Sequence, residues 1–174
     1  RAESEPLRAF WAGRYVKQKR VEMLIDIAAA CKRVGVAMHL TLVGDGPQQQ
    51  KIQRRVDELG IRDVVSFIPF QADINPIIAA QDVYLSASDR EGFPNTLLEV
   101  MAQGRGALLT DIQPNAEVAG DSGGVKLLRD WKPDVMYLTT TDYVQHKYAP
   151  EDAQAQSFYK MFDLYLAELD ALGA

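Results

Sequence analysis

The feature of this sequence that most constrains its fold is a regular alternation of short apolar runs with amphipathic segments. The apolar runs have the length and composition of β-strands, and the segments between them repeat apolar residues every three or four positions, as helices do. The predicted strands cover residues 8–13, 37–44, 64–68, 82–88 and 106–110, with two weaker ones at 124–128 and 135–141. The predicted helices cover residues 20–35, 48–60, 74–81, 95–104 and 115–120, followed by a tail helix that starts at Pro150.

Strands that alternate with crossover helices form a mostly parallel sheet that is covered by helices on both faces. We therefore predict an α/β fold, a Rossmann-like open parallel sheet with helices on both faces and the C-terminal helix packed across it. A chain of 174 residues suits one domain of this kind, and we assign residues 1–174 to it.

The charge and cysteine content exclude several classes of function. A net charge of −5 does not favour a broad nucleic-acid interface, which needs a basic face, so we expect no nucleic-acid partner. Cys31 is the only cysteine, which excludes a disulfide framework or thiolate metal cage and suggests a reducing compartment. The sequence has no apolar run of membrane-spanning length and no signal-peptide pattern. Because it begins at Arg1 without methionine, we expect it to be a fragment of a longer protein.

Ligands of open α/β sheets bind beyond the carboxyl ends of the strands, so the loops there are the candidate sites. The five such loops are residues 13–19, 44–47, 69–73, 89–95 and 111–115. The first loop places Arg14, Lys17, Lys19 and Arg20 just after Gly13, and a glycine followed by basic residues suits a phosphate group. The open alternative is a solvated basic loop before a helix.

The segment Gly44-Asp45-Gly46-Pro47 resembles a dinucleotide-binding fingerprint but lacks its third glycine and the lysine of a P-loop. We predict a tight turn here, with Asp45 as the N-cap of the following helix, rather than an isolated phosphate cradle.

The most informative loop is DREGFPNTLLE, residues 89–99. Asn95 is predicted to cap a helix whose first free N–H groups, at residues 96–98, would form an anion site. Glu91 would lie on the loop beside that site and Glu99 deeper in the helix. Two carboxylates around an anion site suit a polyhydroxylated ligand with a phosphate in its middle. The open alternative makes Glu99 an ordinary helix-face residue and Glu91 a partner of the helix dipole.

Other chemistry has little support in the sequence. His39 and His146 have no serine or cysteine partner at a readable spacing, and the acidic residues show no metal-ligand spacing, so we predict no metal site. Trp11 and Trp131 are interpreted as core or interface residues.

Taken together, these loops resemble the C-terminal domain of family-4 retaining glycosyltransferases of the GT-B fold. The matching segments are GRYVKQKR, LVGDGP, VVSFIPF, DVYLSASDREGFPNTLLEVMAQG and TDIQPNAEVAG, which cover about residues 8–124. The combination of a Gly-Arg-x4-Lys loop with a later Glu-x7-Glu element is the most specific part of the resemblance.

The resemblance implies a role for each matching residue. Glu91 would contact hydroxyls of the donor sugar, Glu99 would hold the ribose, and Arg14 and Lys19, in the loop that starts at Gly13, would hold the diphosphate. Glu91, Arg14 and Lys19 are thus the implied catalytic group. The remaining contacts would come from the backbone around Phe93, Pro94, Asn95, Thr96 and Leu97.

The resemblance also implies partners. The donor would be a nucleotide sugar linked to UDP, GDP or ADP, no metal or other cofactor would be needed, and this chain would be the C-terminal half of a two-domain enzyme. The missing N-terminal domain would bind a glycan or lipid-linked acceptor, so the fragment alone would transfer little. A cytoplasmic location follows, with peripheral contact at the inner face of the membrane left open for the full-length protein.

The sequence departs from the family at several positions. Gln113 and Pro114 stand where a glycine pair is usual, Pro69 replaces a glycine and Gly106 a proline. Two alternatives therefore stay open, a degenerate domain of this fold that acts as a binding or assembly module, and a related nucleotide-sugar epimerase.

Overall fold

The computed structural model describes residues 5–128, which form a six-stranded parallel sheet and its crossover helices. The strands are β1 (Leu7–Ala12), β2 (Met38–Val43), β3 (Val65–Ile68), β4 (Val83–Ser86), β5 (Gly106–Thr110) and β6 (Val125–Leu128). The helices are α1 (Val21–Arg33), α2 (Gln49–Glu58), α3 (Asn75–Ala80), α4 (Asn95–Ala102) and α5 (Gln113–Ala119). The predicted α/β Rossmann-like sheet is confirmed. The predicted strand at 135–141 and the tail helix lie outside the described residues.

The strand order β3-β2-β1-β4-β5-β6 places the switch of chain direction between β1 and β4. The chain first adds β2 and β3 on one side of β1, then crosses back to add β4, β5 and β6 on the other side. Because crossovers between parallel strands are right-handed, this reversal puts the two sets of helices on opposite faces. At such a switch point the loops diverge and leave a crevice beyond the carboxyl ends of the strands.

The central strands are held by a continuous apolar core. Every residue of β4 and β5 is buried, as are the last four residues of β1. Phe10 of β1 packs on Tyr84 of β4 with ring centroids 5.1 Å apart, and Trp11 packs on Tyr15 at 4.9 Å. Burial of each large apolar side chain stabilises the fold by roughly 1.5–3 kcal/mol. The two strand ends that border the crevice are therefore among the best anchored parts of the molecule.

Two predicted helix caps are wrong. Helix α4 includes Asn95 as its first residue, and Pro94 occupies the cap position with its carbonyl as the acceptor of the first turn. Helix α2 is preceded by Gln48, whereas the backbone carbonyl of Asp45 accepts a hydrogen bond from Tyr15 in the loop after β1. At α4 a backbone carbonyl accepts the first-turn bonds, and at α2 no side chain caps the helix. The tight turn predicted at residues 44–47 lies later, at residues 46–49, where the Gln49 N–H donates to the Gly46 carbonyl at 3.1 Å.

Candidate functional site

The loop after β2 packs directly on the loop after β1, and two glycines make this contact possible. A Cβ atom at Gly44 would lie 1.9 Å from the carbonyl oxygen of Gly13, and one at Gly46 would lie 2.6 Å from the amide nitrogen of Tyr15. The Tyr15 N–H donates to the Asp45 carbonyl at 2.7 Å, and the Gln48 N–H donates to the Tyr15 carbonyl at 3.0 Å. The glycines thus fix the backbone that carries the basic loop.

The basic loop continues as a 3-10 turn at Lys17–Lys19 that places Lys19 against the loop after β4. The Nζ atom of Lys19 lies 2.6 Å from both carboxylate oxygens of Glu91, and the two side chains are 21% and 11% exposed. The Asp89 N–H donates to the Gln18 carbonyl at 2.9 Å, which ties the two loops together through their backbones. The residues predicted to hold the phosphate and the sugar are therefore direct neighbours.

Arg20 ends this turn in a left-handed conformation, with φ of 49° and ψ of 41°. It is the one non-glycine residue with positive φ in the described part of the chain. Such a conformation costs on the order of 1–2 kcal/mol. The strain is located where the chain turns from the basic loop into α1.

The first turn of α4 leaves one of the three predicted amide donors available. The N–H groups of Leu97 and Leu98 donate to the Pro94 carbonyl at 3.0 and 3.4 Å, so the prediction that they are free is wrong. The bond from Leu97 tightens this first turn, so of the three predicted donors only the Thr96 N–H has no partner within residues 5–128. The anion site expected at this helix start thus depends on one amide.

Tyr84 of β4 lies next to the first turn of α4. It is 6% exposed, and its hydroxyl lies close to the side chains of Ser86 and Thr96. Burial raises the pKa of Tyr84, and the negative charges of Glu91 and Glu99 raise it further. The phenol therefore stays protonated near neutral pH and links β4 to the helix residue that carries the free amide.

Two adjoining cavities occupy the crevice. The first has a volume of about 370 Å³, and the second about 280 Å³. They share the walls formed by Ala12, Gly13, Arg14 and Thr96. Glu99 lines only the first cavity and Glu91 only the second, so the two carboxylates lie on opposite sides of a common wall that carries one cation and one free amide.

Every site residue implied by the family resemblance lines at least one of these cavities, whereas Lys17 and Arg20 of the basic loop line neither. The first cavity contains Gly13, Arg14, Thr96 and Glu99, and the second contains Gly13, Arg14, Lys19, Glu91, Phe93, Asn95, Thr96 and Leu97. The arrangement offers acceptors for hydroxyl groups at both ends and donors for an anion between them.

Several lining residues were not predicted from the sequence. Phe70 and Gln71 line the first cavity; their loop was a candidate from the sequence, but no role was predicted for these side chains. Asn115 lines the second cavity, is 1% exposed and donates from Nδ2 to the Thr110 carbonyl at 2.9 Å. The position of Asn115 just beyond β5, in one of the candidate loops, is the feature of the sequence that could have indicated its place in the site. Gln113 lines neither cavity and donates to Glu117 at 2.8 Å instead.

Two kinds of feature are absent from residues 5–128. No cluster of three or more histidine, cysteine, aspartate or glutamate side chains suitable for a metal ion occurs there. None of the helices in that part of the chain is both long and apolar enough to cross a membrane.

Comparison with known proteins identifies relatives of this chain. The family model described as "Glycosyl transferases group 1" matches residues 6–136. The lipopolysaccharide core biosynthesis glycosyltransferase LpsE of Rhizobium meliloti (strain 1021) is 35% identical over 92 residues, which are 53% of this chain and 26% of LpsE. This chain thus spans about a quarter of the length of that relative.

Solved structures share the fold at low sequence identity. Anabaena Alr3699/HepE in complex with UDP and glucose matches 99% of this chain with 49% of its own, at a TM-score of 0.70 and 19% identity. The pneumococcal O-GlcNAc transferase GtfA in complex with UDP and GlcNAc matches 90% of this chain with 32% of its own, at a TM-score of 0.67 and 20% identity. At these identities the likeness shows the fold alone.

Proposed function

The chain belongs to the glycosyl transferases group 1 family, and we propose that it is the donor-binding domain of a longer enzyme that transfers a sugar from a nucleotide sugar. In this proposal residues 1–174 are the C-terminal half of a two-domain, family-4 GT-B enzyme. The observation that carries it is the pair of cavities that share a cationic wall and hold one carboxylate each.

The shared wall suits the diphosphate of the donor. Arg14 supplies a permanent positive charge, and the Thr96 N–H at the start of the eight-residue helix α4 supplies an unpaired donor that is favoured by the helix dipole. Gly13 lets the anion approach the backbone, and Lys19 reaches the second cavity from the neighbouring turn. Together these groups would hold the diphosphate between the two cavities.

The two carboxylates suit the two hydroxyl-rich ends of a nucleotide sugar. Glu99 in the larger cavity would accept hydrogen bonds from the ribose, and the nucleoside would extend towards Phe70 and Gln71. Glu91 in the smaller cavity would accept from the donor sugar, which would contact the buried Asn115 as well. The complexes of HepE and GtfA with UDP support a uridine nucleotide as the first donor to test.

Transfer by the full-length protein would be retaining and independent of a metal. The departing nucleoside diphosphate gains negative charge, which Arg14, Lys19 and the start of α4 would stabilise. The acceptor, a glycan or a lipid-linked sugar, would bind largely to a part of the enzyme outside this chain. The name of LpsE, which refers to lipopolysaccharide core biosynthesis, supports an acceptor of this class.

Calorimetric titration of the chain with UDP, GDP and ADP tests the binding part of the proposal. We expect one nucleotide to bind, with affinity at least about tenfold weaker in Arg14→Ala and Glu99→Ala, since a hydrogen bond to a charged group contributes about 1.5–3 kcal/mol. Arg62→Ala is the matched control, because Arg62 pairs with Asp57 outside both cavities. If no nucleotide binds, or if the control weakens binding equally, the proposal is wrong.

The full-length protein tests the catalytic part. A Glu91→Ala, Glu99→Ala double variant should lose sugar transfer, measured by release of the nucleoside diphosphate from the donor. Unchanged transfer in this variant would favour the alternative of a binding or assembly module.

A further inference from the structure

Lys19 and Glu91 form a close ion pair. Two residues that bound separate parts of a ligand would not need to contact each other in this way. The ammonium lies 2.6 Å from each carboxylate oxygen, and both side chains are largely shielded from water in the wall of the smaller cavity. An ammonium has three N–H donors, so one remains for a phosphate oxygen while two serve Glu91. The carboxylate likewise keeps lone pairs for two sugar hydroxyls. The pair can therefore stay intact while it contacts both ends of the sugar–phosphate bond.

The charges at this pair change when the sugar leaves. A nucleotide sugar carries two negative charges on its diphosphate, whereas a free nucleoside diphosphate carries close to three near neutral pH, because the terminal phosphate has a second pKa of about 6. The product also lacks the hydroxyls that donate to Glu91. The carboxylate then lies beside a more negative phosphate and takes up two of the three donors of Lys19.

We propose that the Lys19–Glu91 ion pair makes this site distinguish the intact donor from the nucleoside diphosphate left after transfer, an inference that rests on the proposed function. The Glu91 carboxylate favours the nucleotide sugar through its hydroxyls and opposes the product through its charge. The positive charge of Lys19 reduces the repulsion between that carboxylate and the diphosphate. The pair thus lowers product affinity relative to donor affinity and promotes product release.

The test compares wild type with Glu91→Gln, which removes the charge and keeps the shape. Calorimetry is run with the diphosphate among UDP, GDP and ADP that the wild type binds, and with the glucose and N-acetylglucosamine conjugates of the same nucleotide. We expect the variant to bind the free diphosphate about three- to tenfold more tightly, as for the loss of a nearby like charge in a partly buried site. We expect it to bind the preferred conjugate more weakly or no better.

Two further variants make the result specific. Glu91→Asp keeps the charge and should not tighten diphosphate binding. Asp63→Asn removes a carboxylate from an ion pair with Lys32 of the same 2.6 Å length, outside both cavities, and should leave all affinities unchanged. Circular dichroism and thermal unfolding confirm that each variant is folded.

The outcomes separate this inference from the proposed function. If the wild type binds a nucleotide but Glu91→Gln does not tighten the free diphosphate, or tightens the diphosphate and the conjugate equally, the discrimination is wrong and nucleotide binding stands. If Asp63→Asn reproduces the tightening, the effect is one of overall charge and the inference is wrong. If the wild type binds none of the three diphosphates, both proposals fail.

Discussion

Replacement of Gly44 by alanine tests whether the close contact between the loops after β1 and β2 holds the site together. The added Cβ would lie 1.9 Å from the Gly13 carbonyl oxygen, closer than non-bonded atoms approach, and Gly44 has φ of +130°, where L-residues are strained. The backbone conformation costs roughly 1–3 kcal/mol. The overlap with a main-chain atom, which has no rotamer to relieve it, adds roughly 1–3 kcal/mol.

The expected loss of about 2–6 kcal/mol is a large part of the 5–15 kcal/mol that stabilises a typical domain. In a protein of this size each kcal/mol lowers the melting temperature by roughly 2–4 °C. Thermal unfolding followed by circular dichroism should therefore show a fall of about 5–20 °C for Gly44→Ala. Because any relief requires the Gly13 backbone to move, nucleotide affinity should fall as well.

Gly60→Ala is the matched control. Gly60 has φ of +63° at a helix end, and no atom lies within 4 Å of the added Cβ. Its cost should be the backbone conformation alone, roughly 1–2 kcal/mol, with nucleotide affinity unchanged. Equal melting temperatures for the two variants would refute the reasoning, because the steric contact at Gly44 would then contribute nothing.

Three further predictions concern groups in or near the core. Tyr84→Phe should weaken nucleotide binding about three- to tenfold, through loss of the polar contact between its hydroxyl and Thr96, a contact of roughly 0.5–1.5 kcal/mol; unchanged affinity in calorimetry would contradict it. Burial raises the pKa of the Cys31 thiol to about 11, so a disulfide reagent at pH 8 should react roughly tenfold more slowly with the native than with the unfolded protein, because the smaller thiolate fraction is partly offset by a higher nucleophilicity; similar rates would contradict this. EDTA should leave nucleotide affinity unchanged, and restoration of lost binding by Mg²⁺ alone would contradict the proposed metal independence.

The strands could be predicted from the sequence because a sheet buried on both faces needs near-continuous apolar runs. Strands β1, β4 and β5 show this, and their predicted positions agree with the structure within two residues at each end. Their order along the chain also indicated which loops share one edge. The candidate loops followed from the carboxyl ends of the strands, since parallel strands bring these ends to the same side of the sheet.

The cap residues and the partner of each charged side chain could not be predicted in the same way. Whether Pro94 or Asn95 begins the first turn of α4 depends on which carbonyl is oriented to accept, and sequence preference alone favoured Asn95. The contact of Lys19 with Glu91 joins residues 72 positions apart, so it cannot be predicted from the spacing or the periodicity of nearby residues. Such contacts depend on how two loops approach each other in space.

The departures from the family at Gln113 and Pro114 leave the lining of both cavities intact. Pro114 lies in the first turn of α5, where an N–H would have no helical partner, so its missing donor costs no helix bond. The Gln113 side chain pairs with Glu117 on the same helix, away from both cavities. Asn115 alone of this segment reaches the smaller cavity, fixed by its bond to the Thr110 carbonyl. Neither Gln113 nor Pro114 lines a cavity, and all four charged side chains proposed to hold the donor still line the cavities. This favours a nucleotide-binding domain over a degenerate assembly module.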